Sequence, residues 1–420
     1  MRVLVQGLWH LGSVTAACLA RAGHHVIGLD RDAATIATLQ AGKAPISEPG
    51  LDDLLRAHPI ELTSDVTAAS RADVAWVTYD TPVDADDRAD VEFVITEVAA
   101  MLPHLRDGAV VLVSSQLPVG SVARLEKLRP NVHFACSPEN LRLGKAIAVF
   151  SDPDRVILGV RDDHTKHVLT ELFAPITAKL EWMSVESAEM TKHAINAFLA
   201  LSVTFANELA SVCERVGADA KEVERGLKTE SRIGPKAYLG PGGAFAGGTL
   251  ARDIAFLTAM GAERGLALPL ISGVRPSNEA HKKWARRRLE DRLGSLAGKT
   301  VAVLGLTYKA GTDTLRRSAS VELCRDLVDG GAKVRAFDPA VKILPAELAY
   351  MELAPSAAAA IEGADALVIA TEWPEFASLD LAALTATMKR KLVVDANRFL
   401  AKAFAPLDAE YYAVGVPDRG

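Results

Sequence analysis

The chain is short of the residues that would settle its class at once. Its four cysteines, Cys18, Cys136, Cys213 and Cys324, lie far apart and form no C-x-x-C pair. That spacing argues against a disulfide framework or a zinc site, so no metal is expected. It fits a reducing cytoplasm. Aromatic residues make up only 5% of the chain, and the net charge is −6 with no long basic run. Such a balance gives nucleic acid no electrostatic footprint. No uninterrupted apolar stretch reaches the ~18 residues of a membrane helix, so no membrane span is expected. The first apolar run begins at residue 2, so no leader is expected either.

What is present is an Ala-rich, 49% hydrophobic chain of 420 residues. That is enough for two or three domains with real cores. Short β-branched runs recur early: VLVQ, HHVIGLD, DVAWVTY, AVVLVSS and HFAC. Between them lie helical patterns such as SVTAACLARAG and VEFVITEVAAML. This alternation predicts an α/β fold with a doubly wound parallel sheet. From Val185 to Val216 no Gly or Pro interrupts a helical pattern. A helix of that length spans roughly 50 Å.

Helical patterns continue to about Leu296, and KTVAVLGLTYKAG then opens a second strand–glycine–helix unit. The two ends echo each other in order. VLVQGLWHLG matches VAVLGLTYKAG, HHVIGLDRD matches AKVRAFDPA, and RADVAWVTYDTP matches GADALVIATEW. The expected organisation is two Rossmann-like parallel-sheet domains, 1–184 and 297–420, joined by a helical middle domain, 185–296.

The stretch RVLVQGLWHLGS has the outline of a dinucleotide-binding turn. In such a turn the first glycine permits a tight bend, the second a close approach to pyrophosphate, and the third helix–strand packing. Gly7 and Gly12 are in place, but Trp9 stands where the middle glycine belongs. Leu11 and its neighbours can still offer N–H groups at a helix start. Asp30, 18 residues past Gly12, ends the second strand. A carboxylate there accepts ribose hydroxyls and repels a 2′-phosphate, favouring NAD. Arg31 follows directly and weakens that preference. Taken alone, this broken fingerprint leaves another ligand open.

Further motifs carry a resemblance. They are AGKAPISEPGLDDLL (41–55), YDTPVDADDRADVEFV (79–94), SSQLPVGS (114–121), SPENLRLGKA (137–146) and SAEMTKHAINAFLALSVTFANELA (187–210). After these come SRIGPKAYLGPGGAFAGGTLARD (231–253), GLTYKAGTDTLRRS (305–318), ATEWPEF (370–376) and VDANRF (394–399). In this order, across nearly the whole chain, they resemble the UDP-glucose/GDP-mannose dehydrogenase family. The resemblance implies an NAD-dependent oxidation of a sugar hydroxyl, most often C6–OH, on a nucleotide sugar. Family members take the alcohol to an acid with two NAD. A cysteine thiolate captures the intermediate aldehyde, since a thiol is easily activated near neutral pH.

Carried onto this sequence, the resemblance assigns Lys192, Asn196 and Asp253 to catalysis, with Thr249 at the nucleophile's position. It assigns Gly7, Leu11, Gly12, Asp30, Thr81, Pro82, Gln116, Arg252 and Arg316 to the cofactor. It assigns Glu139, Asn140, Leu141, Arg142, Arg232, Tyr238, Gly242, Phe245, Gly247, Lys309 and Arg398 to the substrate. Lys192 and Asn196 are spaced i, i+4 and so share a helix face. A homodimer through the 185–216 helix is also implied.

Three departures fall in one half-reaction. The family cysteine is Thr249, the threonine that helps hold a catalytic water is Gln116, and a glutamate acid/base is Leu143. In addition, Arg317 replaces a family glutamate, and Asn397-Arg398 reverses the family's Arg-Asn order. The expectation is therefore a two-electron oxidation. The alternatives are a four-electron reaction without a covalent intermediate, or a non-catalytic binder of NAD or a nucleotide sugar. A small hydroxyacid dehydrogenase shares the Lys-x-x-x-Asn helix, but the length and the second Rossmann-like half argue against it.

Overall fold

The computed structural model describes residues 1–84, 89–138, 141–246 and 248–417. Glu139, Asn140 and Gly247, expected to contact substrate, lie outside the described residues. The chain forms two compact units, Met1–Ile195 and Asn196–Gly420.

The first unit is built on an eight-stranded sheet. Its strands are β1 (Arg2–Gln6), β2 (His25–Leu29), β3 (Glu61–Thr63), β4 (Val74–Val77), β5 (Val110–Val113), β6 (His133–Cys136), β7 (Val156–Gly159) and β8 (Leu180–Met183). They run in the order β3-β2-β1-β4-β5-β6-β7-β8. Alternate residues feed two cores on opposite faces. Leu4, Ala75, Val77 and Val111 enter one; Val3, Val5, Trp76 and Leu112 enter the other. A strand buried on both faces has no polar side, which is why these runs read as continuously apolar. One pair departs from the expected parallel sheet: β6 and β7 are antiparallel. Composition carries no strand direction, because either arrangement buries the same side chains.

The second unit holds β9 (Thr300–Leu304), β10 (Lys333–Phe337), β11 (Glu352–Leu353), β12 (Ala366–Ile369), β13 (Leu392–Asp395) and β14 (Glu410–Tyr412). Their order is β11-β10-β9-β12-β13-β14, and all five pairings are parallel. Counted within its own unit, the order of these six strands repeats that of the first six. It is the 3-2-1-4-5-6 order of dinucleotide-binding folds.

The long helix is continuous from Val185 to Val216. Its small residues take it into different cores. Val185 and Ala188 pack in the first unit. Ala197 and Ala200 pack with Ile254, Leu257 and Val274 in the second; Ala210 and Cys213 pack there with Trp284 and Leu289. By length and composition this helix could cross a membrane, with an 18-residue window of mean hydropathy 1.4. A window average tolerates the interspersed Asn196, Asn207 and Glu208, whereas a count of uninterrupted apolar residues stops at them. Of that window, 44% is buried inside the chain. Its outer face leaves Phe198, Phe205 and Val212 exposed, one every seventh residue.

Candidate active site

The first unit carries the glycine turn. Gly7 has φ 91°, a conformation that side chains resist. A Cβ there would stand 2.6 Å from the Tyr79 ring. A Cβ on Gly12 would fall on the Gly7 carbonyl. Both outer glycines therefore do the steric work expected of them. Trp9 needs no such freedom: its φ is −72°, and it caps the helix His10–Arg21. Any demand for glycine at this middle position would come from a bound pyrophosphate and not from the backbone itself. Leu11 and Gly12 are buried in the first turn of that helix, behind N–H groups that suit a phosphate.

Asp30 lies beside the turn and is 8% exposed. Its Oδ2 accepts from the Leu8 N–H at 2.7 Å, and its Oδ1 from the Asp32 N–H at 2.9 Å. Thr81 is buried and donates to the Gln116 carbonyl at 2.7 Å, while Pro82 is exposed. A tight turn, a helix start and a strand-end carboxylate together fit a dinucleotide with free ribose hydroxyls.

Glu48, within the 41–55 motif, carries a positioning role that its local sequence does not announce. It is buried and accepts from the Gly144 N–H at 2.7 Å and the Ala146 N–H at 2.9 Å. His10 Nε2 lies 2.9 Å from the same carboxylate. Glu48 thus ties the start of the first helix to the segment that carries the substrate positions. Within that segment Leu141 packs on the core, Arg142 is exposed and Leu143 is half-buried.

The long helix braces the Gln116 loop. Glu189 accepts from the Gly120 N–H at 2.7 Å and the Val122 N–H at 3.0 Å. Burial raises its pKa against the opposing pull of these two bonds. His193 Nε2 lies 3.0 Å from the Leu117 carbonyl. Lys192 is half-buried on this same stretch of helix.

In the second unit Asn196 and Asp253 are buried together. The Asn196 amide donates to the Asp253 carboxylate, which fixes the amide's orientation. Thr249 is exposed at the first position of the helix Thr249–Glu263, after Gly248 with φ 109°. Arg252 lies half-buried one turn along. Arg317 has φ 58°, unusual for a residue with a Cβ. Its guanidinium lies 3.8 Å from where a Gly248 Cβ would stand. Arg317 thus puts a cation near Gly248, the residue before Thr249.

The glycine-rich loop hangs on four polar side chains, a role assigned to none of them from sequence. Asn207 accepts from the Gly242 N–H at 3.0 Å, and Asn397 from the Gly243 N–H at 2.7 Å. Asn278 takes both backbone groups of Phe245, at 3.0 and 2.8 Å. His281 reaches the Gly242 carbonyl at 2.8 Å. These partners are 33 to 154 residues from the loop in sequence, so no local pattern announces them.

Tyr238 is 60% exposed. Arg232 is exposed and paired with Glu230. Lys309 is half-buried and Arg316 exposed. Arg398, another expected substrate ligand, is engaged within the second unit. Its guanidinium is clamped on Asp219 at 2.8 and 3.0 Å and on the Val414 carbonyl. In the reversed Asn-Arg order, Asn397 holds the loop and Arg398 closes an internal ion pair.

The NAD binding domain model of the UDP-glucose/GDP-mannose dehydrogenase family matches residues 1–177. Its central domain model matches 186–280, and its UDP binding domain model 302–402. The chain belongs to this family. It is 33% identical to a UDP-glucose 6-dehydrogenase of Rhizobium meliloti, with all of both chains covered. It is also 33% identical to one of Pseudomonas aeruginosa, covering 100% of this chain and 98% of that one. Among solved structures it resembles a UDP-glucose dehydrogenase of Pyrobaculum islandicum, with a TM-score of 0.88, 30% identity and coverage of 99% and 98%. A UDP-D-ManNAc dehydrogenase of Pyrococcus horikoshii gives a TM-score of 0.87 at 25% identity, with both chains covered in full. The protein is thus an NAD-dependent oxidoreductase of the nucleotide-sugar dehydrogenase family. Gly7, Gly12, Asp30 and the first helix are the residues that would hold NAD.

Proposed function

We propose that the protein oxidises a hydroxyl of a nucleotide sugar, C6–OH of a UDP-glucose-like substrate, in one two-electron step that ends at the carbonyl. Residue 249 carries this reading. The resemblance puts cysteine there, and this chain has threonine. A hydroxyl is far less acidic than a thiol and needs a strong neighbouring base to attack. The four cysteines are buried. Burial pushes the Cys18 thiol up to about 11 and Cys324 to about 12, and raises Cys136 as well. Gln116 and Leu143 stand where the acid-forming half of the reaction needs other groups.

Bound NAD supplies the hydride acceptor. Lys192 holds the alcohol oxygen, stabilises its developing negative charge and passes its proton to water. Asn196, oriented by Asp253, binds the same oxygen. Carbon loses a hydride and oxygen a proton, so one NADH and one carbonyl form per substrate.

The deciding measurement is NADH formed per substrate consumed, over a panel of UDP-sugars, with the product identified by mass. A ratio of one with an aldehyde supports the reading. A ratio of two with a uronic acid would establish the four-electron reaction instead. Binding of NADH and UDP-sugar without turnover would make the chain a binder.

We also propose a homodimer through the long helix. The exposed Phe198, Phe205 and Val212 support it, since an apolar stripe of this kind is costly in water. Phe205→Glu should give a monomer by light scattering; a monomeric parent protein would refute the idea. The four free thiols favour a reducing, cytoplasmic location.

A further inference from the structure

Asp30 and Arg31 stand side by side at the end of β2. In dinucleotide turns the carboxylate takes the adenosine ribose hydroxyls, while an arginine nearby accommodates a 2′-phosphate. The chain carries both signals. The structure separates them. Arg31 Nη1 lies 2.7 Å from Glu97 Oε1, and its guanidinium carbon lies 4.7 Å from the centre of the Phe93 ring. Phe93 and Glu97 are one turn apart on the helix Val91–Met101, so both face the arginine.

Glu97 is itself held in place. Its other carboxylate oxygen accepts from the Tyr79 hydroxyl at 3.2 Å. Its backbone carbonyl accepts from Gln6 Nε2 at 2.8 Å. Tyr79 packs edge-on against Phe93, 5.5 Å between ring centres. The Glu97 side chain is 15% exposed and that of Arg31 63%. The anchor is therefore the better-fixed partner, and the arginine is the one that yields.

We propose that Glu97 is a cofactor-specificity residue: by holding Arg31 on Phe93, it withholds the guanidinium from a 2′-phosphate. The Arg31 charge is then engaged by Glu97, and the Asp30 carboxylate beside it in the chain is left to take ribose hydroxyls. The result is selection of NAD over NADP. This inference rests on the cofactor turn and is independent of how many electrons the sugar loses.

The test is direct binding of NADH and NADPH to the full chain by calorimetry at low salt, where charge effects are least screened. Glu97→Gln keeps the volume and a partner for Tyr79 while releasing Arg31. It should tighten NADPH about tenfold, the order expected when one charge-assisted bond to phosphate becomes available. NADH affinity should move less than about twofold, well under the effect of a lost hydrogen bond. Adding Arg31→Ser to Glu97→Gln should remove the gain. Arg31→Ser alone, a change at an exposed side chain, should leave NADPH as weak as in the parent. An unchanged NADPH/NADH affinity ratio in Glu97→Gln would overturn the proposal. So would a gain that persists without Arg31, or a loss of NADPH affinity in Arg31→Ser alone. The last outcome needs only the exposed variant, so the proposal remains refutable even if Glu97→Gln fails to fold.

Discussion

Gly7 and Gly305 occupy the same place in the two sheets, with φ of 91° and 94°. Beside them Asp30 and Asp338 accept from the N–H of Leu8 and Leu306, each at 2.7 Å. Ser13 and Ser318 donate to the carbonyls of those same leucines, each at 2.6 Å. Asp73 and Asp365 accept from the first residues of β1 and β9, each at 2.8 Å. Beyond these shared bonds the halves diverge. In the first, a helix starts at His10, directly after the turn. In the second, the helix waits until Ala319, and the intervening loop carries Lys309, Arg316 and Arg317. In the first, the position after Asp80 is Thr81, whose hydroxyl turns to Gln116. In the second, the matching position is Trp373, whose indole N–H donates to Asp338 at 3.0 Å. Thr307 adds its N–H and hydroxyl to the same oxygen.

Asp338 is therefore saturated from within and 0% exposed, whereas Asp30 keeps an edge to solvent. One scaffold serves two ends. The first half, matched by the family's NAD binding domain, leaves its helix start and carboxylate free of such an indole. The second fills that place with its own indole and uses a longer loop to present cations.

Four substitutions bear on this comparison, from the largest expected effect to the smallest. Gly12→Val drives side-chain atoms onto the Gly7 carbonyl. It should abolish NADH binding and cost about 3 kcal/mol, the upper end for overpacking. NADH affinity within about threefold of the parent, less than one net hydrogen bond, would mean that this turn is not the cofactor cradle.

The two aspartates should then separate function from stability. Asp338→Asn disrupts a buried carboxylate with five donors, four on one oxygen and the Ala340 N–H on the other, and should cost about 2–3 kcal/mol in denaturant unfolding, with NADH affinity unchanged. Asp30→Asn should cost about 1 kcal/mol of stability but weaken NADH about tenfold. Equal effects of the two on NADH binding would erase the distinction between the halves.

The smallest effect concerns the loop on the second half's side of the comparison. Burial holds the His281 pKa below its usual 6.5, with Arg287 adding to that; the Gly242 carbonyl and Glu214 oppose it. The unfolded chain takes up a proton near 6.5 that the folded chain resists. Stability from this site is thus present above 6.5 and lost as pH falls toward the folded value. His281→Gln can still donate to the Gly242 carbonyl without titrating. Its Tm should fall less than the parent's between about pH 7 and pH 5, the interval in which histidine ordinarily titrates. Parallel Tm curves would show that His281 does not contribute to acid sensitivity.

Much of this was legible in the chain itself. The apolar runs marked the strands, because burial on both faces leaves no polar side. Gly7, Gly12 and Gly305 marked the turns, because φ and close approach are local demands. The echoes between the ends anticipated the repeated sheet. The spacing of Lys192-x-x-x-Asn196 and the run Thr249–Asp253 read as helical, and both lie on helices, since helical spacing is fixed. Tertiary structure alone decided which distant groups meet. It reversed β7 against β6, seated the Arg31 guanidinium on Glu97 66 residues away, and closed Asp338 with Trp373. It also turned Arg398 inward to Asp219. Periodicity and backbone preference are set by neighbours in sequence. Ion pairs and buried hydrogen bonds are set by which elements the fold brings side by side, and that is a property of the whole packed chain.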